Sequence, residues 1–350
     1  MTTARTDSAR AMILAGGMST RLYPLTKHLP KPLVPVAGEP ITGNVMRWLA
    51  SYGYREVAIN VFYLADAVRD AFGDGRRFDV RLEYLNEREL MGSAGALKQM
   101  EGWFERTFVV VGCDDLTDAD LGALVTFHRQ HGALATIGLV EAEQVDQYGV
   151  VVTDRSGRIT GFQEKPEPGT ERSHLVNTGV YVFEPAIFAH IPPATFYDFG
   201  KQVFPELLAA GAPFYAMPLV GAYWRDVGTL EEYRSANFDV LEGRVPLLGG
   251  RRNGIPADAR VGVGVTVEGA VRIGARAALG AGVTIVGPTV LGNDVHVADG
   301  ARIERSIVWD GARIGPRAIL RDAIVGEQYT VADGTVLEDA VVANELEAAR

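Results

Sequence analysis

From residue 11 to about 240, short runs of β-branched and other apolar residues alternate with longer stretches of helical period. The runs Ala11 to Ala15, Glu56 to Val61, Val80 to Leu85, Phe108 to Gly112 and Leu134 to Val140 predict strands. Between the last two, over Asp118 to His131, Leu121, Leu124, Val125 and His128 fall at i, i+3, i+4 and i+7, which places them on one helix face. Strand and helix alternating in this way predict βαβ units: a Rossmann-like α/β fold with a mainly parallel sheet and helices on both faces. Ligands of such sheets bind beyond the carboxyl ends of the strands.

After about residue 245 the period changes. Val261, Val267, Ile273, Leu279, Ile285, Leu291, Val297, Ile303 and Trp309 recur at an interval of six, and a small or β-branched residue stands two positions before most of them (Val265, Val271, Ala277, Val283, Val295, Ala301, Ile307). A period of six fits neither a helix nor an ordinary strand, and predicts short strands stacked as coils of a parallel β-helix. Gly262, Gly274, Gly280 and Gly292 follow the apolar position, where a turn is expected to need an unusual φ. The register is expected to slip after Trp309, because Ile314 follows at five, and the repeat to fade toward Val341. The simplest role for such a tail is a rigid spacer or an oligomerisation surface. An acyltransferase site there has only His296 as an obvious base.

The resulting division is a disordered tail over 1–10, a catalytic domain over 11–245, a linker over 246–256 that includes Gly249 to Gly254 with Arg251 and Arg252, and a β-helix over 257–345. A chain of 350 residues with 47% hydrophobic and 22% charged residues has the composition of a globular protein with two domains. Its net charge of −10 argues against nucleic acid and anionic membrane as partners, so any phosphate must be met by local positive groups. A single cysteine, Cys113, allows no intrachain disulfide. No secretion signal or spanning run is apparent, and the expectation is a cytoplasmic protein.

Candidate chemistry begins at residue 14, where the chain reads Leu-Ala-Gly-Gly-Met-Ser-Thr-Arg-Leu and continues to Pro30-Lys31-Pro32-Leu33. A strand ending in Gly16-Gly17 lets backbone N–H groups approach a phosphate, with donors from Ser19, Thr20 and Arg21 close behind. Neither the Walker spacing nor the dinucleotide fingerprint is present.

This segment resembles the signature of the sugar-1-phosphate nucleotidylyltransferases, usually G-G-x-G-T-R-L followed by P-K-P, with Ser19 standing where the family has glycine. Four further blocks follow in the family's order. Leu90 to Leu97 resembles the nucleotide-base segment, and Phe108 to Asp114 the strand ending in N-G-D, with Gly112 for Asn and Cys113 for Gly. Glu164-Lys165-Pro166 and Asn177-Thr178-Gly179 resemble the sugar-phosphate segments, and Trp224 to Thr229 the second metal-binding turn. The long members of the family also carry a hexapeptide-repeat tail, a left-handed β-helix. The nearest likeness is to mannose-1-phosphate guanylyltransferase-like members.

The resemblance implies that Leu14, Ala15, Gly16, Gly17, Ser19, Thr20, Arg21, Lys31, Asn86, Gly92, Ser93 and Ala94 bind the nucleotide. Gly149, Glu164, Lys165, Asn177, Thr178 and Gly179 would bind the sugar phosphate, with the backbone of Tyr148 to Val150 against the sugar. Asp114 and Asp226 would hold Mg²⁺, a cation suited to an octahedral site of oxygen ligands. In the implied reaction a sugar-phosphate oxygen attacks the α-phosphorus of an NTP and pyrophosphate leaves. That nucleophile is already ionised, so no general base is required and positioning with charge neutralisation suffices. Arg21 offers a planar fork for the β and γ phosphates, and Lys31 a point charge near the α-phosphate. Lys165, which precedes a proline, is expected to be extended. Asp115 and Asp118 read as cap and turn residues, and His28, His128 and His131 as surface or satisfied residues.

Arg21, Lys31, Asp114, Lys165 and Asp226 are thus expected to converge on one pocket. GTP with a mannose-1-phosphate-like substrate is the favoured pair, while glucose 1-phosphate with dTTP, ATP or UTP, or a modified sugar phosphate, stays open. A non-catalytic regulatory subunit of the same fold is the alternative from another class. Flat β-helix faces and an exposed terminal coil predict a homo-oligomer.

Overall fold

The computed structural model describes residues 9–245 and 254–344. Of the tail expected over residues 1–10, residues 1–8 lie outside the described residues and Arg10 instead opens the strand Arg10–Leu14; of the linker expected over 246–256, residues 246–253, with Arg251 and Arg252, lie outside them. The chain forms two compact units, one built from residues up to Met18 with Val45–Asp226, the other from Ser19–Asn44 with Val227–Arg350.

At the centre of the first unit is the strand Arg10–Leu14, flanked in parallel by Glu56–Val61 and Phe108–Gly112, with Arg81–Asn86 parallel on the outside. A parallel strand covered on both faces reads as a continuous apolar run, which is why Ala11, Met12 and Ile13 are all buried. The sheet is extended by the long strand Leu175–Phe183, which returns antiparallel along Phe108–Gly112 and also pairs with Ala135–Glu141 and Gly149–Thr153. Phe214–Pro218 adds in parallel to Ala135–Glu141. Aromatic side chains dominate the core, with Phe104, Phe108, Phe183, Phe188, Phe199, Phe204 and Phe214 packed together. The helix predicted from Asp118 runs Leu121–Gln130, because Asp120 caps it: its Oδ1 accepts the Ala123 N–H at 2.9 Å. Along its buried face, His128 is satisfied by Thr136 and Glu184, as expected.

In the second unit the β-helix consists of three five-stranded parallel sheets. The inward positions form aliphatic ladders, such as Ile285–Ile303–Leu320–Leu337. Its core cluster contains only Val, Ile, Leu and Ala. Three expectations are corrected there. Val308, not Trp309, stands opposite Leu291, so the register shortens between Ile303 and Val308, one step earlier than the interval in sequence suggests. From that point the coils do not fade: they continue from 18 residues to a regular 17 as far as Val342. Gly262, Gly274, Gly280 and Gly292 have ordinary φ and are needed for another reason, since a Cβ on any of them would strike the neighbouring coil. Positive φ falls elsewhere in the turns, for example at Gly264, Gly282, Arg276 and Asp294.

The remainder of the second unit is the phosphate-segment loop and one helix. Short turns at Thr20–Leu22, Leu25–Lys27 and Lys31–Leu33 lead to a hairpin of Pro35–Val36 with Glu39–Pro40. The helix Leu230–Glu242 starts at Thr229, whose side chain caps the Glu232 N–H, and ends at Gly243 with φ 87°. Among the described residues no helix is long and apolar enough to cross a membrane.

Candidate active site

Polar residues cluster where the parallel strands of the first unit end, the edge at which ligands of such sheets bind. Leu14 ends the central strand, and the Ala15 N–H that follows donates to Asn60 Oδ1 at 2.9 Å. Asn60 Nδ2 in turn donates to Glu87 Oε2 at 2.6 Å, and Glu87 Oε1 accepts the Met91 N–H at 3.1 Å. Both side chains are buried. One carboxylate therefore ties the turn Ala15-Gly16 to the segment starting at Met91. Gly16 is required by this arrangement, because a Cβ there would lie 2.5 Å from Glu87 Oε2 and 2.7 Å from Asn60 Nδ2. Gly17 is different: its Cβ position faces open space. Asn86 ends its strand and is exposed.

The helix Gly92–Gln99 opens within the segment expected to meet the nucleotide base. Gly92 has φ 74° and a Cβ would strike the Tyr197 carbonyl; Gly95 would come within 2.7 Å of Thr195 O. The Ala94 and Gly95 N–H groups both donate to Tyr197 O at 3.0 Å. Ser93 Oγ donates to Asp198 Oδ2 and accepts the Phe199 N–H. In this state Ser93 and Ala94 hold the 195–199 segment against the helix.

The two aspartates expected to share a metal lie close together in the chain's fold. Trp224–Asp226 pairs antiparallel with Asp115–Thr117, so that Asp226 stands directly opposite Asp115 and one residue from Asp114. Asp115 is not the cap expected from sequence. It is buried in that ladder, where its carboxylate accepts the Gly112 N–H at 3.0 Å and the Trp224 Nε1–H at 3.2 Å. Gly112 and Gly179 flank it, since a Cβ on either would lie 2.5 or 2.7 Å from Asp115 Oδ2. Asp118 accepts the Tyr223 N–H at 2.7 Å, which fixes the other end of the same two-stranded ladder. Trp224 Nε1 also donates to Thr178 O at 2.9 Å.

Among the residues expected to bind the sugar phosphate, Glu164 and Gly149 are cross-strand partners. A Cβ on Gly149 would lie 2.8 Å from the Phe162 ring, and one on Gly200 would strike the Glu164 carboxylate. Burial, with Asp198 nearby, pushes the Glu164 carboxyl above the ordinary carboxylate range, against the opposing charges of Lys165 and Lys201. Lys165 departs from the extended backbone expected before a proline and has φ 46°. Its N–H is retained by Tyr148 O at 3.1 Å, so the chain must turn sharply before Pro166. A non-glycine residue held there carries roughly 1–3 kcal/mol of strain, a feature that concentrates at functional sites. The Asn177 and Thr178 side chains are engaged internally. Asn177 donates to Tyr181 Oη and accepts the Gly179 N–H, while Thr178 donates to Gly138 O. The ladder bulges between Asn177 and Tyr181, which brings Gly179, at φ 80°, to Asp115.

Ser19, Thr20, Arg21 and Lys31 belong to the second unit. Ser19 has φ 52°, and its carbonyl accepts from Thr26 Oγ1 at 2.8 Å and from the Leu22 N–H. That left-handed backbone explains the family's usual glycine at this position. Arg21 and Thr20 are exposed, and Lys31 is half-buried at the start of its turn.

Sequence reasoning missed Asn60, Glu87 and Asp198. Asn60 carried a readable signal, a polar side chain near the end of an otherwise apolar parallel strand; Glu87 follows a strand that is half polar and did not stand out. Asp198, whose side chain accepts from Ser93, and the Asp115 acceptor of the Trp224 N–H had none, because these partners are about a hundred residues apart.

Comparison with known proteins agrees with the order of these blocks. The Nucleotidyl transferase family matches residues 10–243, and the GMPPB C-terminal domain matches residues 265–349. A UTP–glucose-1-phosphate uridylyltransferase of Synechocystis is 36% identical over 92% of this chain and 88% of its own length. A mannose-1-phosphate guanylyltransferase of Mycobacterium tuberculosis is 35% identical over 88% and 82%. The catalytic subunit beta of the Danio rerio mannose-1-phosphate guanylyltransferase is 33% identical over 96% and 91%. With a family match across both halves and a polar site at the expected sheet edge, the chain belongs to the sugar-1-phosphate nucleotidylyltransferases of the Nucleotidyl transferase family.

Proposed function

We propose that this enzyme transfers a nucleoside monophosphate from an NTP to a sugar 1-phosphate, forming an NDP-sugar and pyrophosphate. The observation that carries the reading is the pairing of Asp226 against the 114–115 turn, more than a hundred residues away, in a chain alike along nearly its whole length to enzymes named for this reaction. We assign the ligand roles to Asp114 and Asp226, which this pairing brings to neighbouring positions and whose hard carboxylate oxygens fit Mg²⁺. Bound there, the cation would neutralise charge on the triphosphate.

The protein's own groups do the rest. Asn60 and Glu87 fix the Gly16 turn relative to the Met91 segment, so that the turn's backbone and the base segment are held ready for the nucleotide. Arg21 and Lys31 supply charge to the phosphates, and Lys165 orients the sugar phosphate, with Glu164 accepting from sugar hydroxyls beside Gly149. Leu14, Ala15, Gly17, Ser19, Thr20, Asn86, Gly92, Ser93 and Ala94 complete the nucleotide side, and Asn177, Thr178 and Gly179 the sugar side.

GTP with mannose 1-phosphate is the preferred pair, supported by the guanylyltransferase relatives and the match to the GMPPB C-terminal domain. UTP with glucose 1-phosphate is the second reading, favoured by the Synechocystis relative. We further place the catalytic part at 11–245 and the β-helix at 257–345, and take the protein to be a cytoplasmic homo-oligomer. The test is a matrix of NTPs against sugar 1-phosphates with Mg²⁺ or EDTA, scored by pyrophosphate release and product mass. GTP with mannose 1-phosphate should react fastest, and only with the metal. Inactivity of every pair would support the non-catalytic subunit instead; a solution mass measurement decides the oligomeric state.

A further inference from the structure

The β-helix carries contacts that a spacer would not need. Trp309, displaced from the aliphatic ladder by the early register shift, donates its Nε1–H to Tyr233 Oη at 2.7 Å. Tyr233, fully buried in the helix Leu230–Glu242, donates its O–H to the Pro35 carbonyl at 2.8 Å. One turn on, the equally buried Asn237 accepts the Ala37 N–H at 2.7 Å and donates to Tyr233 O at 2.8 Å. Two neighbouring contacts hold the same helix to later coils, Arg234 with Asp339 at 2.9 Å and Arg305 over the Phe238 ring at 5.3 Å.

The hairpin that receives these bonds is also met directly by the β-helix. The Arg272 guanidinium occupies the space beside Gly38, where any Cβ would strike it; burial lowers its pKa, against the opposing charges of Glu39 and Asp310. Lys31 lies four residues before Pro35. Its carbonyl accepts the Val34 N–H at 3.0 Å, and the Val34 carbonyl accepts the Ile41 N–H at 3.0 Å. From Lys31 to Ile41 the backbone is thus held at successive points, and the outer anchors come from Trp309, Tyr233, Asn237 and Arg272. All of these residues belong to one compact unit.

We infer that the β-helix is a working part of nucleotidyl transfer: Tyr233 and Trp309 are positioning residues that fix the 35–40 hairpin and, through it, Lys31. The inference rests on the reading of Lys31 as a phosphate-binding group. A loosened hairpin would let the Lys31 ammonium wander from the α-phosphate, and misplacement of about 1 Å costs on the order of a hundredfold in rate. Tyr233→Phe keeps the ring and removes the hydroxyl, leaving Pro35 O and the Trp309 N–H without their partner.

The test measures kcat, KM and amide exchange in Tyr233→Phe, in Trp309→Phe as the milder variant should the first fail to fold, and in each combined with Lys31→Ala. We expect kcat to fall roughly 10- to 100-fold in the wild-type background with little change in KM for the sugar phosphate. In the Lys31→Ala background the same change should cost less than about twofold, because the residue through which it acts is gone. Amides over 34–41 should exchange about tenfold faster. Equal losses in both backgrounds would mean general destabilisation and overturn the positioning role. Unchanged exchange in an active Tyr233→Phe enzyme overturns the brace alone, whereas a wild-type chain inactive with every pair overturns the functional reading and the positioning role together.

Discussion

Glycine is constrained in both units of this molecule, but by different neighbours. In the β-helix, Gly274 faces the backbone of Gly292 and Gly262 faces that of Gly280, one coil away. In the sheet unit, Gly16 faces the Glu87 and Asn60 side chains, and Gly112 and Gly179 face the Asp115 carboxylate. The same contrast separates the cores, one wholly aliphatic and the other crowded with phenylalanine. A repeat needs every coil to approach the next at the same spacing, so its constraints recur, against backbone at Gly262 and Gly274 and against the Asp299 and Asp310 side chains as well at Gly280 and Gly292. An active site needs particular carboxylates held at particular backbone atoms, so its constraints are polar and occur once. Change in the first should therefore cost stability, and change in the second activity.

The largest expected effect sharpens the functional half of this contrast. Asp226→Asn should lower pyrophosphate release by about 10²- to 10³-fold while thermal unfolding stays close to wild type. A mutant that keeps near-full activity would remove Asp226 from the site. Next, a pair of glycine substitutions puts the two units side by side. Gly274→Ala forces a methyl group into rigid backbone and should cost roughly 1–3 kcal/mol in denaturant unfolding. Gly16→Ala should instead slow turnover about tenfold or more with a smaller stability loss, because the Asn60–Glu87 clamp yields before the fold does. Reversal of that pattern would break the comparison.

A smaller effect concerns pH. Burial holds His128 below the usual imidazole value, against the opposing pull of Glu184. The unfolded chain then binds the extra proton first, so the stability due to neutral His128 is complete above about pH 6.5 and is lost as pH falls toward the folded value. Replacement by Gln should flatten the stability profile over that acid window in urea titrations. The β-helix core cluster, which has no titratable member, should contribute nothing to that slope. The smallest change is expected at Ser19, whose left-handed backbone disfavours any side chain. Ser19→Gly should raise stability by roughly 0.5 kcal/mol, the relief of strain less the entropy glycine gains when unfolded. A loss of melting temperature would show that the hydroxyl matters more than φ.

Much of this is legible in the sequence. Strand and helix periods located the five strands predicted in the first unit within a residue, and the interval of six identified the β-helix. Local steric rules proved weaker guides. Proline following Lys165 suggested an extended backbone, yet the ladder bond to Tyr148 and the turn beyond it imposed φ 46°. The glycines of the repeat were correctly singled out for the wrong reason, because close approach between coils cannot be inferred from one coil. Trp309 fitted the period and nevertheless left the aliphatic ladder, since shortening a single turn redirected it to Tyr233.

What the sequence determined by itself was whatever repeats or is local: the periods, the order of the phosphate-handling blocks, and the identity of the charged groups. Tertiary structure alone decided that the Asp115 carboxylate braces the 112–115 turn against Trp224, that Asn60 and Glu87 clamp the Ala15-Gly16 turn to the segment at Met91, and that the β-helix holds the hairpin after Lys31. Those choices depend on hydrogen bonds between residues from about thirty to two hundred positions apart. No local preference encodes them, because their free energy appears only when the chain has folded and the partners have lost water together.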